Sequence, residues 1–237
     1  VETTSAQDGP VSERLVAALA MQLAERRALL GRGAAHVGWK LGVGDRERID
    51  GEVAVGHLTS ATRLSSCGSY VARTRDVDLR ADVEIAVQLR RHVGASDEPA
   101  LIRKAIAHYA VALEIVDLSA LPNEPFDVVV ANVFHRAVAF GDTRAGLPPR
   151  PRGTVIVNGE PRRTAEAEAD VAERVRAAAR VLEAAGERLT PGDWLITGSI
   201  VQTPVGVGDE IVADLGELGA VSLTVAAARP GTAAAER

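Results

Sequence analysis

A single cysteine, Cys67, occurs in the 237 residues, which excludes an intrachain disulfide and a multi-thiolate metal site. Basic residues are not in excess: 27 Lys and Arg stand against 32 Asp and Glu, a formal net charge of −5. That balance gives no electrostatic reason to expect nucleic acid or an anionic membrane as partner. No apolar run approaches the roughly 18 residues that span a bilayer. The opening VETTSAQDGP lacks the basic and apolar regions of a signal peptide. No repeat recurs at a solenoid period. The expectation is a cytoplasmic, soluble protein in which any bound metal is held by oxygen.

What is present is enough apolar material, 46% of the chain, to bury a substantial core. VSERLVAALAMQLAERRALL (11–30) brings Leu15, Leu19, Leu23 and Leu30 together at helical spacing. Residues 36–43 and 78–90 read as strands, and 50–75 as short strands and turns. Asp97-Glu98-Pro99 signals a helix start, and ALIRKAIAHYA continues it at helical spacing to 110. VALEIVDLS (111–119) is extended, LPNEPFD a loop, and VVVANVFHRAVAFG (128–141) a β-rich core segment. TVIVNGEPRRT carries Asn-Gly between extended flanks, the strongest short hairpin signal. Residues 164–189 form an Ala/Glu/Arg-rich helix, and short strands with glycine turns follow. Helices and strands do not alternate regularly, so the fold class is α+β and rich in β-structure. We expect one domain over 1–237, with the 10–31 helix packed on it and a frayed tail at 229–237.

The chemistry begins at LRADVEIAVQL (79–89). In a strand, Ala81, Val83, Ile85, Val87 and Leu89 share one face, and Asp82 and Glu84 stand side by side on the other. Neighbouring carboxylates repel unless water, a proton or a cation intervenes. Glu114, between Leu113 and Ile115, is a third acid in an apolar setting. Together the three offer an all-oxygen donor set suited to Mg²⁺ or Mn²⁺. Taken alone, the pattern favours a wet sheet face, because alternating polar residues are routine in half-buried strands. Lys40, in HVGWKLGVG, reads either as a snorkelling lysine at a sheet edge or as a partner for a substrate carboxylate. The five histidines show no metal-ligand spacing; His135 alone falls beside a candidate pocket strand. GVGDRE is only half of a dinucleotide fingerprint. Cys67 has no obvious His partner and reads as an incidental thiol.

GWKLGVG, DVEIAVQL, ALEIVD, the Asn of VANVF, LTPGDWLITGSI and GVGDEIVADLGELGAVSLTV occur in an order that resembles the fumarylacetoacetate hydrolase superfamily. Over residues 10–228 the chain is most similar to its 2-keto-4-pentenoate hydratase and 4-oxalocrotonate decarboxylase branch. The resemblance implies a mixed β-sandwich roll with peripheral helices, a bound Mg²⁺ or Mn²⁺, a homo-oligomer, and a small 2-oxo acid substrate. By position it implies Asp82, Glu84 and Glu114 as metal ligands and Lys40 as the active-site lysine. Asn132, Thr197 and Gly198 match substrate-facing positions, and Asp50 in DGE (50–52) matches an acid/base carboxylate. The resemblance reverses the bland reading of the acidic pair. The chain departs from the pattern at Asp82, where Glu is usual, at Ala131, where Asp is usual, and at Phe134 and His135, where residues are small.

In such a site a 2-oxo acid or its dienol chelates the metal, which stabilises the developing enolate. A hydratase ketonises a 2-hydroxypenta-2,4-dienoate and adds water; a decarboxylase expels CO₂ from a second carboxylate through the same dienolate. The second carboxylate calls for a distal cation, for which His135 or Arg136 is the candidate. The strand around Lys40 lacks the Tyr/His lid pattern of C–C bond hydrolases, which argues against hydrolysis. A non-catalytic binding homologue with a reshaped pocket is the remaining alternative.

Overall fold

The computed structural model describes residues 9–44, 49–73, 76–119, 124–167 and 170–228. The first eight residues, the end of GVGDRE, the start of the LPNEPFD loop and the expected tail at 229–237 lie outside them. In chain order the elements are α1 (Glu13–Gly31), β1 (His36–Gly42), β2 (Ala54–Thr59), β3 (Arg63–Leu64), β4 (Gly68–Ala72), β5 (Leu79–Leu89) and α2 (Pro99–Ala105). Then come β6 (Ile106–Asp117), α3 (Asp127–Val130), β7 (His135–Phe140), β8 (Arg152–Val157), β9 (Glu160–Glu166) and α4 (Val171–Ala184). The chain closes with β10 (Trp194–Ile196), β11 (Val201–Pro204), β12 (Glu210–Asp214) and β13 (Ala220–Ala227).

The strands form two mixed sheets, an eight-stranded one ordered β2-β1-β10-β5-β6-β7-β3, with β11 also on β5, and a five-stranded one ordered β4-β13-β12-β8-β9. This is the expected β-rich α+β roll with peripheral helices. The large sheet is buried on both faces. Ala81, Val83, Ile85, Val87 and Leu89 join the main core with Leu15, Leu19 and Leu23 of α1, Val175 and Leu182 of α4, and Val155, Ile211 and Leu223 of the smaller sheet. The other face carries a second buried cluster of Leu58, Ala86, Ala110, Ala112, Val138 and Ile196. Phe140 and Trp194 belong to it and stack with ring centroids 4.7 Å apart. The wet sheet face read from alternation is therefore wrong: the acids of β5 and β6 lie on the second buried face.

Three further expectations are corrected. The helical period from 99 to 110 ends at Ala105, because 106–110 pair with β5 in the long β5–β6 ladder; His108 is thus on a strand, not a helix. The segment 128–141 is extended only from His135, being preceded by the short α3 and a turn at 132–134. In the expected helix 164–189, residues 164–166 complete the Asn158-Gly159 hairpin, and α4 starts after Asp170, whose carboxylate caps Ala172 N–H at 2.8 Å. The hairpin itself stands as expected, with positive φ at both Asn158 and Gly159.

Candidate metal centre

The site is built where two strands match and a third is broken. In the antiparallel β5–β6 ladder Asp82 lies directly opposite Glu114, and Glu84 follows on the same face. The far edge of β5 is shared by β10, which pairs with Ala86–Gln88, and β11, which pairs with Arg80–Val83. Between them the chain leaves the ladder at Thr197-Gly198-Ser199. Thr197 stays anchored, donating both its N–H and its Oγ1–H to the Ile85 carbonyl at 3.0 Å. The Gly198 N–H, released from backbone pairing, donates to Glu84 Oε2 at 2.7 Å, and the Ser199 hydroxyl donates to Asp82 Oδ1 at 3.1 Å. Gly198 has φ +100, and a Cβ there would come within 2.6 Å of Val43; glycine serves both needs.

The opposite wall comes from β1 and the 132–134 turn. Lys40 Nζ is 2.5 Å from Glu114 Oε1 and donates to the Val133 carbonyl at 2.9 Å. Asn132, Val133 and Phe134 all have positive φ (54, 52 and 62°). Such a left-handed turn of non-glycine residues costs on the order of 1–2 kcal/mol per residue. The Asn132 amide clamps it to β2, accepting from His57 N–H at 2.7 Å and donating to the His57 carbonyl at 3.1 Å. Gly56 leaves room for the clamp, since a Cβ there would lie 2.7 Å from Lys40 Cγ and 2.8 Å from Asn132 Oδ1. His135 Nδ1 is 2.6 Å from Glu114 Oε1, and its Nε2 is 2.9 Å from Thr62 Oγ1.

Asp82, Glu84 and Glu114 each present an oxygen within 4.8 Å of the others, and all three are buried. Lys40 beside them is 2% exposed. Three carboxylates against one ammonium leave a formal excess of two negative charges, the charge of one divalent cation. Burial, then the Glu114 charge, pushes the Asp82 carboxyl up to about 7, and the same two causes raise Glu84 well above the usual range. Burial alone would raise Glu114 too, but the Lys40 charge and the His135 contact outweigh it and hold it low. Its Oε2 is buried and has no hydrogen-bond partner among the described residues. An ionised carboxylate with an orphaned buried oxygen, facing two acids that hold protons for want of a counter-charge, fits a hard divalent cation.

Other expected site residues are placed differently. Asp50 lies on an exposed turn at φ 58, and no hydrogen bond or ion pair joins it to the acids among the described residues. Its neighbour Glu52 is buried and paired with Arg180 of α4. Arg136 is held by Asp76 at 3.4 Å and Asp117 at 3.1 Å. His57 is buried, and burial followed by nearby positive charge lowers its pKa to about 4. Cys67 is exposed. A cavity of about 170 Å³ lies against the 197–200 turn. A larger one, about 810 Å³, meets β5 only at Ile85, on the face away from the acids, so chemistry rather than size locates the site.

The sequence model for the fumarylacetoacetate hydrolase C-terminal family matches residues 42–226. The chain belongs to that family. No curated protein sequence matches it. Among solved structures it is similar to 4-oxalocrotonate decarboxylase from Pseudomonas putida G7, complexed with magnesium and adipate, at TM-score 0.80 and 22% identity over 89% of this chain and 86% of the other. It is also similar to the fumarylpyruvate hydrolase of Pseudomonas aeruginosa in complex with Mn²⁺ and pyruvate (TM-score 0.62, 15% identity, 81% and 90% covered). A third is the 5-carboxymethyl-2-hydroxymuconate delta-isomerase of Mycobacterium smegmatis (TM-score 0.63, 15% identity, 82% and 80% covered). At these identities the likeness establishes the fold of the family. The named activities, a decarboxylase, a hydrolase and an isomerase, show how little the fold alone decides.

Sequence reasoning missed Ser199, Thr62 and the Val133 carbonyl. Ser199 was within reach, being the residue after Thr197-Gly198. Thr62 carries no signal, because its contact with His135 spans 73 residues. The Val133 carbonyl depends on a left-handed backbone that no β-branched residue advertises.

Proposed function

We propose that the protein is a divalent-metal-dependent lyase acting on a 2-oxo acid or its dienol, specifically a hydratase of a 2-hydroxypenta-2,4-dienoate-type substrate. The observation that carries this reading is the convergence of Asp82, Glu84 and Glu114 with an unpartnered Glu114 Oε2 beside Lys40. Those three carboxylates would hold the ion, Mg²⁺ or Mn²⁺. The ion supplies Lewis-acid stabilisation of negative charge on the substrate's 2-oxygen. The remaining work falls to the chain. Lys40 commits two donors to Glu114 and Val133 and keeps a third N–H for a substrate oxygen. Its charge also offsets the acids and favours binding of an anionic substrate. Asn132 keeps one amide N–H beyond its His57 clamp and is assigned to substrate binding. Thr197 and Gly198 act by holding Ile85 and Glu84 in register. Ketonisation places a proton on the terminal diene carbon, and hydration then adds water across the conjugated enone. The base that takes the water proton is assigned to Asp50 on the family resemblance alone, since its exposed turn makes no contact with the acids among the described residues.

A 4-oxalocrotonate-type decarboxylase is the second reading, because the decarboxylase that shares this fold is complexed with adipate, a dicarboxylate. It ranks second because both candidate cations for a second carboxylate are occupied, Arg136 by Asp76 and Asp117 and His135 by Glu114. Incubation with Mg²⁺ and either 2-hydroxypenta-2,4-dienoate or 4-oxalocrotonate, following dienol absorbance and CO₂ release, separates the two. Loss of the dienoate without CO₂ is expected. Release of CO₂ from 4-oxalocrotonate with an inert dienoate would overturn the hydratase, and turnover of neither would leave a binding homologue.

A further inference from the structure

The Glu114 carboxylate is asymmetric. Its Oε1 faces two cationic or N–H donors, Lys40 Nζ at 2.5 Å and His135 Nδ1 at 2.6 Å, while its Oε2 faces none among the described residues. The side chains of Lys40, Glu114 and His135 are 3%, 1% and 1% exposed, so bulk solvent does not reach the unpaired oxygen. The two donors are not equivalent. An ammonium on a four-carbon stem can swivel and follow the carboxylate as it turns, whereas an imidazole N–H points in one in-plane direction. The imidazole is itself fixed at its far nitrogen by the Thr62 hydroxyl at 2.9 Å, on the turn that links β2 to β3.

We propose that His135 is a positioning residue: with Thr62 behind it, it fixes the plane of the Glu114 carboxylate so that Oε2 alone is presented to the cation. The Nδ1 contact with a carboxylate oxygen requires the proton on Nδ1, so in the neutral imidazole Nε2 accepts from the Thr62 hydroxyl, which turns to it from the Thr59 carbonyl at 3.3 Å. Glu114 then serves as a one-oxygen ligand whose direction is set before any ion arrives. The inference rests on the metal reading above, and it assigns His135 to the ligand rather than to the substrate.

The test is Mn²⁺ binding by calorimetry, with the Mn²⁺ electron paramagnetic resonance spectrum recorded alongside. His135→Phe keeps the bulk and loses the donor; supporting residues of this kind typically contribute 10–100-fold in metal affinity, and a loss of about that size is expected. His135→Asn places an amide N–H close to the Nδ1 position and is expected to recover affinity to within about threefold of wild type, with a wild-type spectrum. Thr62→Val is expected to lose affinity about three- to tenfold and Thr62→Ser to keep it; this pair carries the test if His135→Phe does not fold. Equal Mn²⁺ affinity in wild type, His135→Phe and Thr62→Val overturns the positioning role while leaving the metal centre intact. A merely structural role would lower thermal stability in both His135 variants without separating their affinities, and that result also overturns it. Wild-type protein that takes up no Mn²⁺ overturns the metal reading and this inference with it.

Discussion

Two buried acids three residues apart on β6 make an instructive contrast. Asp117 is as inaccessible as Glu114, with side chains 1% exposed in both. Every oxygen around Asp117 has a donor. Its Oδ1 accepts from Asp78 N–H and Ser119 N–H, and its Oδ2 from the Ser119 hydroxyl at 2.8 Å and Arg136 at 3.1 Å. The neighbouring Asp76 is equally provided for, by Arg136, Tyr70 and the Arg73 N–H. Among the described residues Glu114 instead has both donors on one oxygen and none on the other. Burial is common to the two sites, and provision of donors separates them. An acid whose oxygens are all paired is part of the fold, whereas one left short faces a position meant for something else.

Breaking the contrast at Glu114 gives the largest expected effect. Glu114→Gln keeps the shape, removes the ionised ligand and leaves Lys40 without its counter-ion. Divalent-cation affinity, read by calorimetry with Mn²⁺, is expected to fall by more than the roughly 100-fold that loss of a supporting residue costs. Turnover should disappear with it. Retention of wild-type affinity would mean that the three acids are not the ligand set.

The second effect is a pH dependence. The folded-state value of Asp82 is raised to about 7 from 3.8. Between those values the folded protein holds a proton that the unfolded chain has released. Stability from this group is therefore fully present below the unfolded value and is lost as pH rises through 7. Metal-free protein is expected to lose about 2–3 kcal/mol from this source between pH 5 and pH 8. Glu84, raised in the same direction, adds to it. A saturating divalent cation should reverse the trend, because it replaces those protons. Denaturant titrations of wild type and Asp82→Asn, with chelator and with Mg²⁺, isolate the contribution. A metal-free wild type whose pH profile matches that of Asp82→Asn would remove this account.

The contrast also bears on what a sequence discloses. The order of elements, the Asn158-Gly159 hairpin and the face shared by Asp82 and Glu84 were legible, because period and turn chemistry are local. Their burial was not, since alternation along a strand looks the same whether the second face meets water or, as here, a second cluster built on Ala86, Ala110 and Ala112. The three acids were singled out as a candidate metal site only through family resemblance, and the difference between Glu114 and Asp117 was invisible short of the folded structure. The turn at 132–134 is not extended although Val133 and Phe134 favour strands; its left-handed backbone is held by the Lys40 bond to the Val133 carbonyl and by the Asn132 amide's bonds to His57 of β2. Asp50 and Glu52 could not be told apart, because the Arg180 that claims Glu52 is 128 residues away.

On the other side of the contrast, Asp117→Asn converts an acceptor of four donors into an amide that opposes some of them. A stability loss of about 1–3 kcal/mol is expected, as for other broken buried polar pairs. Denaturant unfolding measures it. Mn²⁺ affinity should stay within about twofold of wild type, because Asp117 faces away from the acids that would hold the ion. A large change in affinity would show that the two clusters are coupled through β6 and weaken the distinction drawn between them.

Gly198→Ala is the smallest and the sharpest of these perturbations, because it reaches the centre only through the backbone. The residue sits at φ +100, where a Cβ would meet Val43 at 2.6 Å and Arg174 at 3.0 Å. Relief requires Val43 or the 197–199 turn to shift, and a shift of the turn swings the Gly198 N–H away from Glu84 Oε2. Gly159→Ala is the control: its φ is +80, but nothing lies within 4 Å of the added carbon. Both variants should lose about 1–2 kcal/mol of stability to backbone strain. Only Gly198→Ala should also lose Mn²⁺ affinity, by about three- to tenfold, since its N–H holds Glu84, one of the acids that would bind the ion. Equal affinities in the two variants would mean that the break between β10 and β11 is a feature of the sheet and contributes nothing to the acids beside it.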